Sequence, residues 1–299
     1  MGKYIKTFEN HNQYTTFTGT TDFILPNVSH CINENEVHYN PWTDPRVIAK
    51  YNVTDTSSPT KIAADGSIHG PFGTLDTNIT ENFKQIEIDG VIQSDIIGEY
   101  TFDTVGEHTV KYTLVDASTI NEGTFVYCQS LTSVDIPISV TSIGEGAFAM
   151  CSGISSISIP NGCTNINNYT FGYCSRVTNL IIPSNITSIG DNAFVNCSGL
   201  ESVTISNSVT SIGNQAFNNC YNLTSINIPD SVTSIGDRGF YYCSSLTSVT
   251  IEATTPPTLG TGAFNDTNNC PIYVPSESVG AYKSASGWST YASRIQPIA

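Results

Sequence analysis

The chain has 299 residues, of which 26 are acidic and 11 basic, so its formal net charge is -15. Charged side chains make up 12% of the sequence, about half of the roughly 25% that is usual in soluble domains. An acidic chain repels the phosphates of nucleic acids, so we expect no nucleic-acid partner. No segment reaches the ~20 apolar residues of a membrane helix, so we expect no membrane insertion.

Residues 1–43 show no hydrophobic period and are rich in Asn, Thr, His and Pro. We predict an irregular N-terminal arm that becomes ordered against an assembly partner. Residues 1–9 contain no apolar core, so no signal peptide is recognisable. His30, Cys31 and His38 have metal-ligand chemistry, but their spacing fits no standard zinc pattern. We therefore predict no metal site and no cofactor.

Residues 44–116 contain four segments in which apolar and polar side chains alternate, as in half-buried strands. These segments are 46–53, 83–88, 100–102 and 108–114. Turn signals such as Asp89-Gly90 separate them, and the spacing predicts a small antiparallel β-sandwich. The stretch GEHTVKYTL in the last segment resembles a strand of bacterial immunoglobulin-like modules. This resemblance implies an immunoglobulin-like fold for residues 44–116, packed directly on the region that follows.

From residue 117 onward the sequence repeats itself, and three columns of residues keep a spacing of 23 positions through six copies. The columns are Leu131, Ile154, Val177, Leu200, Leu223 and Leu246; Phe125, Phe148, Phe171, Phe194, Phe217 and Phe240; and Cys128, Cys151, Cys174, Cys197, Cys220 and Cys243. Three independent columns with one period indicate a solenoid, because a single coil buries its apolar edge only against its neighbours. We predict about six repeats over residues 117–269.

Each repeat begins with an alternating segment, such as 223–229, which predicts a short strand with Ile226 and Ile228 inward and Pro229 at its end. A second extended piece follows at 232–235, and a helical turn at 236–243. Gly occupies the position between them in most repeats, and Asn replaces it in two, so we predict a positive φ there. The residues of this column are Asn121, Gly144, Asn167, Gly190, Gly213 and Gly236.

The cysteine column predicts free, buried thiols. Side chains in a ladder point the same way rather than toward one another, and the chain has nine cysteines, an odd number. Disulfides between neighbouring coils are the alternative, since the coil spacing lies within disulfide range. Cys163 occupies a valine column and is also predicted to be buried.

Units such as LTSINIPDSVTSIGDRGFYYCSS resemble the BspA-like, or Treponema-type, leucine-rich repeat over residues 117–270. The resemblance implies a curved right-handed solenoid used mainly for adhesion and surface recognition. The repeat that starts at Ile154 departs from the pattern at Cys163, Asn167 and Thr170, which predicts altered local packing. The last repeat carries one extra residue near Thr254, which predicts the end of the array.

The segment from Cys270 to Ile295 resembles the C-terminal cap of such arrays. We predict a cap over residues 270–299 that consists of a strand followed by a helix. We expect the helix to begin at Ser276 as its N-cap. Its apolar face would close the core through Val279, Tyr282, Trp288, Tyr291 and Ile295. The predicted fold class is therefore mainly β with short helical turns, a leucine-rich-repeat solenoid with terminal caps preceded by a small β-sandwich.

The outward positions of the first strand of each repeat form the broadest candidate binding surface. They are Ser133, Asp135, Ser156, Ser158, Asn179, Ile181, Ser202, Thr204, Ser225, Asn227, Ser248 and Thr250. Small hydroxyls and amides without an aromatic or arginine anchor favour weak, multivalent contacts with proteins or glycans. The alternative is that Ser and Thr simply suit an exposed strand.

No nucleophile elbow, zinc-protease motif or phosphate loop is present in the sequence, so we predict that the protein is not an enzyme. We predict a non-catalytic recognition or adhesion protein that presents its repeats to proteins or glycans on a microbial or host surface. The alternative is a bacteriophage virion component, a fibre or decoration protein anchored by residues 1–43. The expected location is extracellular, on a cell surface or on a virion.

Overall fold

The structure is a computed structural model of the chain. It describes residues 3–7, 14–18, 30–33, 36–39, 46–70 and 73–298. Side chains are described from residue 46 onward, apart from residues 67–76.

Two antiparallel hairpins lie within residues 1–43, where the sequence predicted an irregular arm. They are formed by β1 (Lys3–Thr7) with β2 (Tyr14–Thr18), and by β3 (His30–Asn33) with β4 (Glu36–Tyr39). Tyr, Ile, Phe and Thr within these short segments favour extended backbone. The segments are too short to show a period, which is why the sequence did not reveal them.

An antiparallel sheet organises residues 46–116. The strands of this region are β5 (Val47–Val53), β6 (Thr60–Lys61), β7 (Gly66–Gly70), β8 (Gly73–Thr77), β9 (Phe83–Ile88), β10 (Val91–Ile92), β11 (Glu99–Tyr100) and β12 (Gly106–Leu114), with the short helix α1 (Ile79–Asn82) before β9. The main sheet has the order β10-β9-β12-β5, and the pairs β6/β11 and β7/β8 lie beside it. Three of the four predicted strands, 46–53, 83–88 and 108–114, are therefore present. Of the predicted strand 100–102 only Tyr100 lies in a strand, β11, and the immunoglobulin-like arrangement stays a prediction.

The main sheet continues into the first repeat. Its fifth strand is β14 (Leu131–Asp135), which runs antiparallel to β5 and places Val134 opposite Ala49. The sheet thus contains strands from both sides of residue 116, the predicted boundary between module and solenoid. As a result, the module covers the first coil directly, as a terminal cap must in a solenoid.

Two tyrosines anchor the core of the module. The hydroxyls of Tyr51 and Tyr112 each lie 2.6 Å from the carbonyl oxygen of Ile62 and 3.0 Å from each other. Both side chains are fully buried, and burial raises the pKa of each phenol well above its ordinary value. Buried phenols need such partners. These bonds therefore hold β5 and β12 against Ile62, the residue that follows β6.

His108 and Asp89 connect β12 to the turn after β9. His108 Nδ1 lies 2.6 Å from Asp89 Oδ2, and His108 Nε2 lies 2.9 Å from the carbonyl oxygen of Thr104. Burial lowers the pKa of His108, but the hydrogen bonds to Asp89 and Thr104 outweigh it and raise the pKa above its usual value. Both ring nitrogens face acceptors, which suits the protonated imidazolium.

We expect the module to lose stability as the pH rises from about 6 to 8. A histidine with a raised pKa in the folded state contributes stability below its unfolded pKa of about 6.5, and this is lost as pH rises through the folded pKa. Urea midpoints followed by far-UV circular dichroism at both pH values measure the loss. In His108→Gln the difference between the urea midpoints at the two pH values should shrink. An unchanged difference in this variant would contradict the assignment of the pH dependence to His108.

The solenoid consists of stacked coils with up to two short strands each. Besides β14, the strands are β13 (Thr119–Ile120), β15 (Ser142–Ile143), β16 (Asn165–Ile166), β17 (Asn179–Ile182), β18 (Ser188–Ile189), β19 (Ser202–Ile205), β20 (Ser211–Ile212), β21 (Ser225–Ile228), β22 (Ser234–Ile235), β23 (Ser248–Ile251) and β24 (Thr258–Leu259). Equivalent strands pair in parallel, and β16-β18-β20-β22-β24 forms one continuous ladder. The predicted solenoid of 23-residue repeats is confirmed.

A stack of phenylalanine rings runs through the solenoid core. Seven rings, from Phe125 to Phe264, follow one another with centroids 5.2–5.7 Å apart and interplanar angles of 3–11°. At the first end Tyr112 packs edge-on against Phe125 at 5.2 Å, and at the last end Trp288 lies 5.9 Å from Phe264. The module, the coils and the C-terminal cap therefore share one core.

The cysteine column lies beside these rings. Within this column, the thiols of Cys151, Cys174, Cys197, Cys220 and Cys243 each donate to the carbonyl oxygen of the phenylalanine in the preceding coil, at 3.0–3.5 Å. The eight cysteines whose side chains the structure describes are free and buried, including Cys163, as predicted. Burial raises the pKa of the Cys197 thiol to about 12, which leaves almost no reactive thiolate at neutral pH.

A thiol titration tests this arrangement. In denaturant without reductant we expect about nine reactive thiols, the number of cysteines in the chain. In the native protein, the eight buried thiols should not react within minutes, because their thiolates are not populated and the reagent cannot reach them. Loss of thiols in pairs under denaturing conditions would indicate disulfides instead.

The glycine column does not have the positive φ that the sequence predicted. Positive φ occurs two residues later in each coil, for example at Gly146, Asn192 and Gln215. The column is glycine because the coils approach closely there: a Cβ at Gly213 would lie 2.6 Å from the backbone nitrogen of Asp191 in the preceding coil. Steric contact between backbones, rather than a left-handed turn, therefore accounts for the glycines of this column. Asn167 carries a side chain at the equivalent position, and its Nδ2 donates to the carbonyl oxygen of Ile143 in the preceding coil.

The C-terminal cap closes the core with hydrogen-bonded aromatic residues. Its elements are β25 (Ile272–Val274), a 3₁₀ turn (Ser276–Ser278), α2 (Val279–Ser284), a second 3₁₀ turn (Trp288–Tyr291) and β26 (Ile295–Pro297). Trp288 Nε1 donates to the carbonyl oxygen of Pro257 at 2.7 Å, and the Tyr282 hydroxyl to that of Ala253 at 2.7 Å. The predicted N-cap is wrong: Ser276 Oγ donates instead to the carbonyl oxygen of Ile298, because β26 pairs with β25 beside it.

Candidate functional site

The outward strand positions form a surface that we call the strand surface, made of the twelve residues predicted above. Nine of them are exposed, and three are half-buried: Ser133, Ser248 and Thr250. Along β17, β19, β21 and β23 these outward residues alternate with buried ones, as in Ser225–Ile228, where Ile226 and Ile228 face the core. The orientation that the alternation predicted is therefore present in these strands.

The parallel pairing of β17 with β19 and of β21 with β23 brings eight of the twelve residues together. The pairs in register are Asn179 with Ser202, Ile181 with Thr204, Ser225 with Ser248, and Asn227 with Thr250. Paired strands lie about 4.8 Å apart. The result is two blocks of small polar groups held at a fixed spacing by the core beneath them.

Hydrogen bonds within the blocks orient their amides. Ser202 Oγ donates to Asn179 Oδ1 at 2.6 Å, and Asn227 Nδ2 donates to Glu252 Oε1 at 2.8 Å. Each amide keeps further donor or acceptor capacity, since an asparagine side chain has two N–H groups and two lone pairs. The surface can therefore bind a partner by hydrogen bonds of defined direction.

The structure interrupts the strand surface near its first end. Ser133 and Asp135 belong to β14 and so to the antiparallel sheet of the module. Ser156 and Ser158 are exposed, but residues 154–160 of their repeat form no strand. The continuous face expected from the repeat pattern is thus limited to the coils after this irregular repeat.

Tyr273, next to the strand surface, was not predicted from the sequence as part of it. β25 extends the sheet of β23 and places Tyr273 beside Thr250, so an aromatic ring stands at the last end of the surface. The alternation of Ile272–Val274 was visible, but it was assigned to the cap alone. Ile181 is 70% exposed, which makes it the large apolar side chain at the centre of a polar surface.

The described residues contain neither a cluster of metal ligands nor a membrane-spanning helix. Within the described ranges, no group of three or more His, Cys, Asp or Glu side chains is placed to hold a metal ion. The side chains of His30, Cys31 and His38 lie outside the described residues. In the same ranges no helix is long and apolar enough to cross a membrane.

Parallel coils of 23 residues, with Leu, Phe and Cys columns inward, define a leucine-rich-repeat protein. The family described as BspA type leucine rich repeat region, in six copies, matches residues 78–200 and 164–285. The chain therefore belongs to the BspA-type leucine-rich repeat family.

Solved structures of other repeat proteins are similar to this chain. A leucine-rich repeat protein from Bacteroides ovatus is 24% identical over 60% of this chain and 52% of its own, with a TM-score of 0.48. The T. pallidum leucine rich repeat protein is 29% identical over 51% of this chain and 71% of its own, with a TM-score of 0.48. A leucine rich cell surface protein from Faecalibacterium prausnitzii is 23% identical over 60% of this chain and 61% of its own, with a TM-score of 0.40.

The matched region spans about half of the Bacteroides ovatus protein and three fifths of the Faecalibacterium prausnitzii protein. A search of curated proteins finds no significant match.

Proposed function

We propose that this protein is a non-catalytic recognition or adhesion protein that presents the strand surface to proteins or glycans on a microbial or host cell surface. The observation that carries the proposal is the pair of polar blocks on β17/β19 and β21/β23, held in register on one rigid core. Membership of the BspA-type family supports it, since that resemblance implies adhesion. The proposed location is extracellular or on a cell surface.

The chemistry of the strand surface favours weak contacts that gain strength by repetition. Interface hot spots are usually Trp, Tyr or Arg in desolvated pockets, whereas the blocks consist of Ser, Thr and Asn with Ile181 as their apolar side chain. Several copies of such a surface on one cell or particle raise the overall avidity without any new contact. We therefore expect low affinity for a single site and strong dependence on valency.

A triple substitution tests the strand surface. Ser202→Lys, Thr204→Lys and Ser225→Lys together place three long charges across both blocks. The matched control carries Ser184→Lys, Asn207→Lys and Asn222→Lys, three exposed positions outside the strand surface. Binding of bead-coupled protein to cells that bind the unmodified protein is counted by flow cytometry.

We expect the strand-surface variant to bind at least tenfold less and the control variant to stay within twofold of the original. Equal binding by both variants would remove the strand surface from the mechanism. Both variants must show the far-UV circular dichroism spectrum of the original protein.

The division into residues 1–43, 44–116, 117–269 and 270–299 stays a prediction, as do the immunoglobulin-like module and the virion alternative.

Removal of residues 1–43 distinguishes an adhesion protein from a virion component. An adhesin keeps its cell binding without them, because the strand surface lies elsewhere. A virion component loses its incorporation into particles, because these residues would be its anchor.

A further inference from the structure

Two adjoining clefts lie where the N-terminal module meets the first three coils, and we call them together the junction cleft. One has a volume of about 220 Å³ and the other about 260 Å³, and both are lined by Thr54, Gln129 and Ser130. The loop after β5 forms one wall and the first coils form the other. The junction cleft therefore exists only because the module packs on the solenoid.

A cationic side chain lines each part of the junction cleft. Lys61 lines the larger part and Arg176 the smaller. Among the described side chains neither of them forms an ion pair, whereas Arg46, Lys50 and Lys111 are each paired with a glutamate. In a chain with a net charge of -15, two unpaired cations at one cleft make it complementary to an anionic ligand.

Asp55 also lines the junction cleft, but its carboxylate is occupied within its own loop. Asp55 Oδ1 accepts hydrogen bonds from Ser57 N at 2.8 Å and from Ser57 Oγ at 2.7 Å. These bonds keep the pKa of Asp55 below its usual value. The carboxylate thus stabilises the turn and forms no ion pair with Lys61 in the described structure.

Most of the remaining lining consists of hydroxyl and amide groups, with Pro59, Tyr127 and Gly153 beside them. Asn52, Thr132 and Ser152 line the part near Arg176, and Ser58 and Thr60 line the part near Lys61. Hydroxyls and amides both donate and accept hydrogen bonds, which matches the hydroxyl groups of a sugar. A peptide would need apolar pockets for its anchor side chains, and this lining supplies little apolar surface.

The length of the junction cleft points to an oligomer rather than a single ion. Gln129 belongs to the first coil and Arg176 to the third, and two coil spacings amount to about 10 Å. Gln129 is exposed and lines both the part that contains Lys61 and the part that contains Arg176. A ligand with acidic groups at both ends and hydroxyls between them would satisfy all of these groups.

We propose that the junction cleft binds an acidic oligosaccharide, with Lys61 and Arg176 contacting its carboxylates and Gln129 and Ser130 contacting the hydroxyls between them. This site is separate from the strand surface and does not depend on it. It gives the protein a second recognition site of a defined chemistry, at the boundary between module and solenoid.

Isothermal titration of the full chain with trigalacturonate tests the proposal. We expect binding that weakens as salt is added and no binding of the neutral maltotriose. Lys61→Gln with Arg176→Gln should reduce the affinity at least tenfold. The matched control, Lys84→Gln with Lys283→Gln, removes two exposed cations outside the junction cleft and should stay within twofold.

Absence of trigalacturonate binding, or an equal loss in both double variants, would overturn the proposal. Binding of hexaglutamate as tight as that of trigalacturonate would also overturn it and identify an acidic peptide as the ligand. The strand-surface variant, Ser202→Lys with Thr204→Lys and Ser225→Lys, should keep its affinity for trigalacturonate. Failure of this proposal is therefore distinguishable from failure of the proposed adhesive surface.

Discussion

Replacement of Phe194 by alanine should lower the free energy of unfolding by about 3–5 kcal/mol, the range for deleting a buried phenylalanine ring. Phe194 is fully buried, and its ring lies between Phe171 at 5.7 Å and Phe217 at 5.3 Å. The cavity left behind would separate the two halves of the ring stack. Urea unfolding followed by circular dichroism measures the loss as a shift of the midpoint.

Ile181→Ala is the matched control for this prediction. It also removes a large apolar side chain from the solenoid, but that side chain is 70% exposed, so a change of at most about 0.5 kcal/mol is expected. Similar midpoints for the two variants would mean that the rings do not form a shared core.

Gly213→Ala should destabilise the protein by about 3 kcal/mol, at the upper end of the range for overpacking. The added Cβ would lie 2.6 Å from the backbone nitrogen of Asp191 and 2.6 Å from the carbonyl carbon of Gly190. Both are backbone atoms, so neither moves aside as a flexible side chain would. The two coils would have to separate, which weakens the hydrogen bond from Gly213 N to the carbonyl oxygen of Ile189, 2.8 Å long.

Gly280→Ala is the matched control, and we expect it to stabilise the protein rather than destabilise it. Gly280 lies in α2, and a Cβ added there would have no atom within 4 Å. Replacing an exposed helical glycine by alanine usually stabilises a protein by about 0.5–1 kcal/mol. If Gly213→Ala were as harmless as Gly280→Ala, close approach of the coils would not be the reason for the glycine column.

The repeat period made the interior of the solenoid predictable. Columns such as Phe125 to Phe240 show directly which residues face the core, because stacking identical coils superimposes equivalent positions. The alternation in Ser225–Ile228 also gave the correct orientation of that strand. The free cysteines followed from the same reasoning, since side chains in one column are parallel.

Features that depend on tertiary packing were not predictable. The pattern shows that position 213 is glycine, but glycine occurs both where φ is positive and where backbones touch, and the sequence cannot distinguish them. The pairing of β14 with β5, and of β26 with β25, joins segments that carry no common pattern. The junction cleft arises from the first of these pairings. Lys61 and Arg176 are far apart in the sequence, so nothing in it indicated that they line the same cleft.

Deletion of one whole coil, residues 202–224, tests the stacked arrangement most directly. Removing this coil joins equivalent positions of its neighbours, so Phe194 would stack on Phe240 and every later column would stay in register. The shortened protein should fold, with an unchanged circular dichroism spectrum per residue and a cooperative transition. Deletion of residues 202–223, one residue fewer, should shift all later columns out of register and abolish that transition. Equal behaviour of the two deletions, whether both fold or both fail, would contradict a core built from coils stacked in register.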